Sequence, residues 1–198
     1  QNARGERGQV MFVRGAVTGD VLDARIIKVN KSYLIAKIER MIEPSALRAT
    51  EGVCTAAGCG GCVYQHIQYE HEATLKRDYV ENAFRKAGLA DVRVGELRHT
   101  GELTRYRNKA QYPVANGKAG MLAGFFATGT HRIVPMSDCC LQPTLFGEIV
   151  TYICQFCDHN GIRAYEEESR SDLLRHIYLR RGEVSGEILL TLVINGSS

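Results

Sequence analysis

The sequence predicts an α+β protein: a small OB-like antiparallel β-barrel or meander, followed by a two-layer α+β domain built from antiparallel hairpins. Three observations carry that expectation. Short alternating apolar runs crowd the first 43 residues, and two longer stretches place apolar residues at helical spacing. The order hairpin, helix, hairpin, helix, hairpin then favours segregated layers over a parallel doubly wound sheet. With 198 residues, 44% hydrophobic and 24% charged, the chain has ordinary globular statistics, which exclude collagen-like, coiled-coil and largely disordered readings.

Each element has a local justification. Residues 9–13, 20–27 and 33–38 read as β segments separated by Gly15, Gly19 and Asn30-Lys31, and Pro44-Ser45 ends the pattern. A barrel this short is expected to lack its opening strand, because so few strands have little core of their own. Residues 44–62 form a Gly/Ala/Cys-rich connector without periodicity. Tyr69, Leu75, Tyr79, Val80, Ala83 and Phe84 then outline an amphipathic helix over 69–86, which Gly88 stops. Residues 92–97 and 104–115 read as strands, with Asn116-Gly117 as the turn into 121–135. A second helix spans about 143–159, with Phe146, Val150, Cys154 and Cys157 on its apolar side and Gly161 at its end. The final hairpin joins 173–181 to 187–194.

No apolar run approaches the ~20 residues of a membrane-spanning helix, and no segment has the form of a secretory signal, so a soluble, cytoplasmic, monomeric protein is expected. The net charge is only +3, yet residues 1–48 carry nine Lys/Arg against five Asp/Glu, and residues 98–134 six against one. Two basic segments on a nearly neutral chain point to a directed polyanion surface; solvated charged faces are the plainer alternative.

Seven cysteines are many for a cytoplasmic chain, and an odd number fits poorly with a closed disulfide framework. Cys54-x4-Cys59-Gly60-Gly61-Cys62 lets a tight loop aim three sulfurs at one point, with a fourth candidate 77 positions later at Cys139 or next to it at Cys140. Four thiolates bind a structural zinc or an iron–sulfur cluster, and spacing leaves both open. Cys154 and Cys157 lie inside a helix rather than at its N-terminus and read as core residues.

The run Cys54 to Tyr69, containing Cys-Gly-Gly-Cys-Val-Tyr-Gln-His-Ile-Gln-Tyr, resembles the TRAM-containing bacterial RNA uracil-5-methyltransferase family, which acts on uridines of 23S ribosomal RNA. Further matches follow in register: Tyr106-Arg107-Asn108-Lys109, Gly124-Phe125-Phe126 with His131-Arg132-Ile133-Val134, Asp138-Cys139-Cys140-Leu141-Gln142, and Leu174-Arg175-His176-Ile177. Val10-Met11-Phe12-Val13 with Gly19-Asp20 resembles the family's TRAM barrel. The resemblance implies a TRAM-like barrel at 1–43, a cysteine-rich cluster loop at 44–62 and a central RNA-recognition domain at 63–198. It also implies a [4Fe-4S] cluster on Cys54, Cys59, Cys62 and Cys139, in a structural role, with ribosomal RNA as partner. S-adenosylmethionine is implied for the full-length enzyme only. The family's S-adenosylmethionine-binding Rossmann-like domain is expected to be absent here, so the chain alone is not expected to methylate and no catalytic residue is assigned.

Candidate RNA contacts divide between the two basic segments. Arg14, Lys28 and Lys31 supply charge in the barrel region, where Phe12 and Tyr33 read as core. Arg105, Arg107 and Lys109 alternate along one expected strand and so would share a sheet face. His176 and Arg180 share a face with Tyr178, and His131 completes the set. The acidic run at 166–168 reads as a solvated loop. A zinc-stabilised RNA-binding adaptor and an iron–sulfur electron carrier remain the competing readings; a brown four-iron protein separates the first from the family expectation.

Overall fold

β-branched and aromatic residues dominate three N-terminal strands, β1 (Val10–Arg14), β2 (Val21–Val29) and β3 (Tyr33–Glu43). The computed structural model describes residues 9–50, 54, 56 and 58–196. Two units emerge, one from Gln1–Val53 with Val63–Arg98, the other from Cys54–Cys62 with His99–Ser198.

In the first unit the three strands pair in the order β1-β3-β2, with β2 antiparallel but β1 parallel to β3. The expected closed OB-like barrel is therefore corrected: the described residues form an open three-stranded sheet. Closure needs more strands and a tilt that three cannot supply, and the parallel pairing leaves β1 and β2 as free edges. Apolar side chains stay uncovered as a result, Val29 being 71% exposed, while Ala36 at the sheet centre is fully buried.

A buried carboxylate pins the chain around this sheet. Asp20 accepts from the Val17 amide (2.6 Å), the Ser45 amide (2.9 Å) and both Nε (2.8 Å) and Nη2 (2.6 Å) of Arg48. Arg48 above all holds the Asp20 carboxyl well below the usual range, and the two amides add to the effect against the opposing cost of burial. Helix α1 (Tyr69–Lys86) follows in the same unit. Its end is a Schellman turn: Gly88, at φ +79°, donates to Arg85 O, and Leu89 donates to Phe84 O. Residues 92–97, expected as a strand, have no regular structure.

The second unit is a five-stranded antiparallel sheet, ordered β6-β5-β4-β7-β8, with one helix on it. Its elements are β4 (Lys109–Gly117), β5 (Gly120–Phe126), β6 (Ile133–Pro135), α2 (Thr144–His159), β7 (Leu174–Arg181) and β8 (Ile188–Ile194). Alternation sends Ala110, Tyr112 and Val114 of β4 inward with Ile177 and Leu179 of β7, where Phe146, Val150, Cys154 and Cys157 of α2 meet them. Each large side chain buried there contributes about 1.5–3 kcal/mol. Gly147 lets α2 press against the preceding segment, since a Cβ there would stand 1.8 Å from Ser137 O. Among the described residues, no helix is long and apolar enough to cross a membrane.

Candidate functional site

The thiol loop and the Cys139-Cys140 turn belong to the same unit. Cys59 forms an isolated antiparallel bridge with Ala127, and the Gly60 amide donates to Phe126 O (3.0 Å), which stitches the loop to the β5–β6 connection. The fit is tight: a Cβ on Gly60 would lie 2.9 Å from Phe126 O.

The Cys139-Cys140 turn is clamped from the other side. Backbone amides of Arg105 and Arg107 donate to Cys140 O and Leu141 O, both at 2.8 Å. The Arg105 guanidinium grips both Asp138 oxygens (2.5 and 2.8 Å) and also donates to Cys139 O (3.2 Å) and Gln142 O (2.9 Å). Gln142, only 1% exposed, donates its backbone N–H to Cys139 O and accepts the Tyr112 hydroxyl at Oε1. The turn that carries two thiols is thereby anchored to the centre of β4.

Five thiols consequently interact. Cys62 is raised by desolvation first and then by Cys139, Cys59 and Cys54; Cys139 is raised by desolvation, then by Cys54 and Cys59. Cys140 is likewise raised by desolvation, then by Cys54, Cys139 and Cys62, and its side chain hydrogen-bonds Cys54. Arg107 opposes the rise at Cys62 and Cys139, because a nearby cation favours the thiolate that binds metal. The all-sulfur donor set suits a soft metal or an iron–sulfur cluster rather than magnesium or calcium. Among the described residues, no group of three or more His, Cys, Asp or Glu side chains is placed to hold a metal. Cys154 and Cys157 stand apart in the core under α2.

The expected basic strand face divides. Strand β4 starts only at Lys109, and Arg105 has φ +57°, so Arg105 and Arg107 serve the thiol turn instead of lying in a sheet row with Lys109. Lys109 pairs with Arg180, Gln111 with Tyr178 and Pro113 with His176, which gathers Lys109, Arg180, Tyr178 and His176 on the sheet face opposite α2. His176 is lowered by partial burial and by Arg175, so at neutral pH it presents an uncharged ring, set edge-on to Tyr178 at 5.7 Å. His131 is exposed and packs against Phe126, centroids 5.6 Å apart.

In the first unit, the register places Arg14 beside Lys37 and Lys37 beside Arg25, a row of three cations across the sheet. Lys28 lies level with Ile35 and Phe12, and Lys31 in the β2–β3 turn. Phe12 and Tyr33, expected in the core, share the face of Arg14 and Lys37; they meet edge to face at 5.5 Å, and Phe12 is 58% exposed. Sequence reasoning missed three features: this pairing of an exposed Phe12 with a half-buried Tyr33, the Tyr112–Gln142 anchor and the Arg105 clamp. Only the Gln that closes the Asp-Cys-Cys-Leu-Gln segment hinted at the anchor.

Fold and site together define an α+β protein that brings a group of thiols together and displays aromatic and basic residues on open sheet faces. No family model matches the chain. It is nevertheless similar to uncharacterised RNA methyltransferases of Synechocystis sp. (33% identical over 187 residues, 93% of this chain and 40% of the relative) and Clostridium acetobutylicum (36% over 189 residues, 93% and 41%). A third, from Halalkalibacterium halodurans, is 33% identical over 190 residues, 96% of this chain and 42% of the relative. The crystal structure of Pyrococcus abyssi tRNA (uracil-54, C5)-methyltransferase with S-adenosyl-L-homocysteine shares the fold over 95% of this chain and 42% of its own, at TM-score 0.69 and 21% identity. The chain is thus related over nearly its whole length to proteins named RNA methyltransferases, and spans about 40% of theirs. Because the chain spans only about 40% of these relatives, the expectation that a S-adenosylmethionine-binding domain is absent has no support and is withdrawn.

Proposed function

We propose that this chain is the RNA-recognition and iron–sulfur portion of a cytoplasmic, monomeric S-adenosylmethionine-dependent RNA uracil-5-methyltransferase acting on a uridine of 23S ribosomal RNA. One observation carries the reading: in a chain related to RNA methyltransferases, the Cys54–Cys62 loop and the Cys139-Cys140 turn, 77 positions apart, meet beside Arg107. Cys54, Cys59, Cys62 and Cys139 would hold a [4Fe-4S] cluster. Bound there, the cluster supplies a structural cross-link of the loop to the turn.

The chain's own residues bind and orient RNA. Arg14 and Lys28 on the first sheet face, Lys31 in the adjoining turn, and Lys109 and Arg180 on the second sheet would track phosphates, while exposed rings offer stacking surfaces. His176, whose ring stays uncharged at neutral pH, and the exposed His131 contribute rings. Arg105, engaged with Asp138 and two carbonyls, positions the thiol turn rather than reaching for RNA.

The test is anaerobic purification followed by the visible spectrum and iron, sulfide and zinc analysis, repeated with Cys139→Ser and Cys140→Ser. The reading expects a brown protein bleached by Cys139→Ser and spared by Cys140→Ser. A colourless protein with one zinc overturns the cluster in favour of a zinc-stabilised adaptor. RNA affinity should fall with salt at a log–log slope set by the phosphate contacts; salt-independent binding would remove the RNA reading.

A further inference from the structure

The connection between β5 and β6 carries a pair of rings used by neither the core nor the thiol group. Along β5 the side chains alternate, so Phe125 packs inward on Tyr112 (centroids 4.9 Å) while Phe126 faces out, 42% exposed. His131, itself exposed, lies across the loop against the Phe126 ring at 5.6 Å and 39°.

Backbone hydrogen bonds hold the two rings in place. Ala127 N–H donates to Arg132 O (2.8 Å) and Thr130 N–H to Ala127 O (3.0 Å), and Arg132 N–H donates to Thr130 Oγ1 (3.2 Å). The Gly60 amide fastens the Phe126 carbonyl from below. A platform so built loses little conformational freedom when something stacks on it. One cation adjoins it: Arg132 follows His131 directly and lies against Gly58, 3.5 Å from where a Cβ would stand.

Exposed rings fixed by a tight hairpin, next to an exposed guanidinium, match one ligand chemistry well: a flat base joined to a phosphate. Duplex RNA keeps its bases stacked and offers no free face, so the ligand is an unpaired nucleotide. We infer that Phe126 and His131 form a stacking platform for one unpaired nucleobase of single-stranded RNA, with Arg132 on the adjoining phosphate. The inference rests on the RNA-binding reading above and adds to it the nucleotide state and the contact mode.

The experiment titrates the whole chain into a single-stranded oligoribonucleotide containing 2-aminopurine, whose fluorescence is quenched on stacking, with binding followed separately by anisotropy at several salt concentrations. Phe126→Leu keeps the apolar bulk and removes the aromatic face; His131→Ala removes the exposed partner. Each is expected to weaken binding by roughly 5- to 150-fold and to lose the quench while keeping the salt slope. Arg132→Gln is expected instead to lower the salt slope by about 1 and keep the quench. Unchanged affinity and quench in Phe126→Leu and His131→Ala overturn the platform and leave the RNA reading standing. If the wild-type chain binds no RNA at low salt, the RNA reading itself falls and the platform with it. Should Phe126→Leu fail to fold by circular dichroism, His131→Ala decides alone, because its side chain lies outside the core. Equal losses on a duplex would also overturn it.

Discussion

Replacing Tyr112 with Phe removes one oxygen from the middle of the five-stranded sheet and leaves the ring in place. Tyr112 and Gln142 are each 1% exposed, and the phenol hydroxyl donates to Gln142 Oε1. In Tyr112→Phe that carbonyl loses its hydroxyl partner and cannot turn to water. A buried acceptor left unpaired costs about 1–3 kcal/mol, and the retained ring adds almost no cavity to the total. With a urea m-value of about 2 kcal/mol/M, the midpoint should fall by roughly 0.5–1.5 M. The double variant Tyr112→Phe with Gln142→Met removes both polar groups and should recover part of the loss. Because the Gln142 backbone N–H donates to Cys139 O, loosening of the Gln142 side chain in the single variant should expose Cys139 and Cys140 to faster thiol labelling in the metal-free protein. Urea melts followed by near-UV circular dichroism, with labelling rates beside them, make the measurement. A single variant within about 0.3 kcal/mol of wild type, or a double variant no better than the single, would refute the anchor.

Asp20→Asn should destabilise the first unit by about 3 kcal/mol, because Arg48 would keep a largely buried charge without its counterion. The folded carboxyl titrates below its unfolded value, so this contribution is fully present above about pH 4 and lost as pH falls toward the folded pKa. Melts of wild type and Asp20→Asn should therefore converge in acid; a constant gap would reject the assignment. Arg105→Ala should cost at most about 1 kcal/mol through its half-exposed ion pair, yet markedly speed labelling of Cys139 and Cys140, and Arg105→Lys should not restore protection because it lacks the fork. Gly60→Ala should loosen the thiol loop, since its Cβ would stand 2.9 Å from Phe126 O; limited proteolysis within 54–62 reads this directly.

Much of the secondary structure was legible because its causes are local. Apolar spacing and Gly88 marked α1, the same period marked α2 with Cys154 and Cys157 on its buried side, and alternation marked β7 and β8. Residues 104–108 misled for a reason that alternation does not carry: at Arg105 the backbone enters the left-handed region, and the segment pairs with the thiol turn instead of a strand. Phe12 and Tyr33 misled differently. Period two says that two faces exist, not which of them another layer covers.

By itself, then, the sequence determined both helices and most of the strands, 92–97 and 104–108 excepted, that three closely spaced cysteines and a distant pair are candidates for one site, and that positive charge gathers in two stretches. These depend on residues a few positions apart, where periodicity, capping and turn chemistry act. Tertiary structure alone decided that β1 lies parallel to β3, that Arg107 sits beside the thiols while Arg105 clamps their turn, and that Phe126 and His131 face out together. Those outcomes depend on which distant segments pair and which face a neighbouring layer buries, a competition settled by long-range packing that no local pattern encodes.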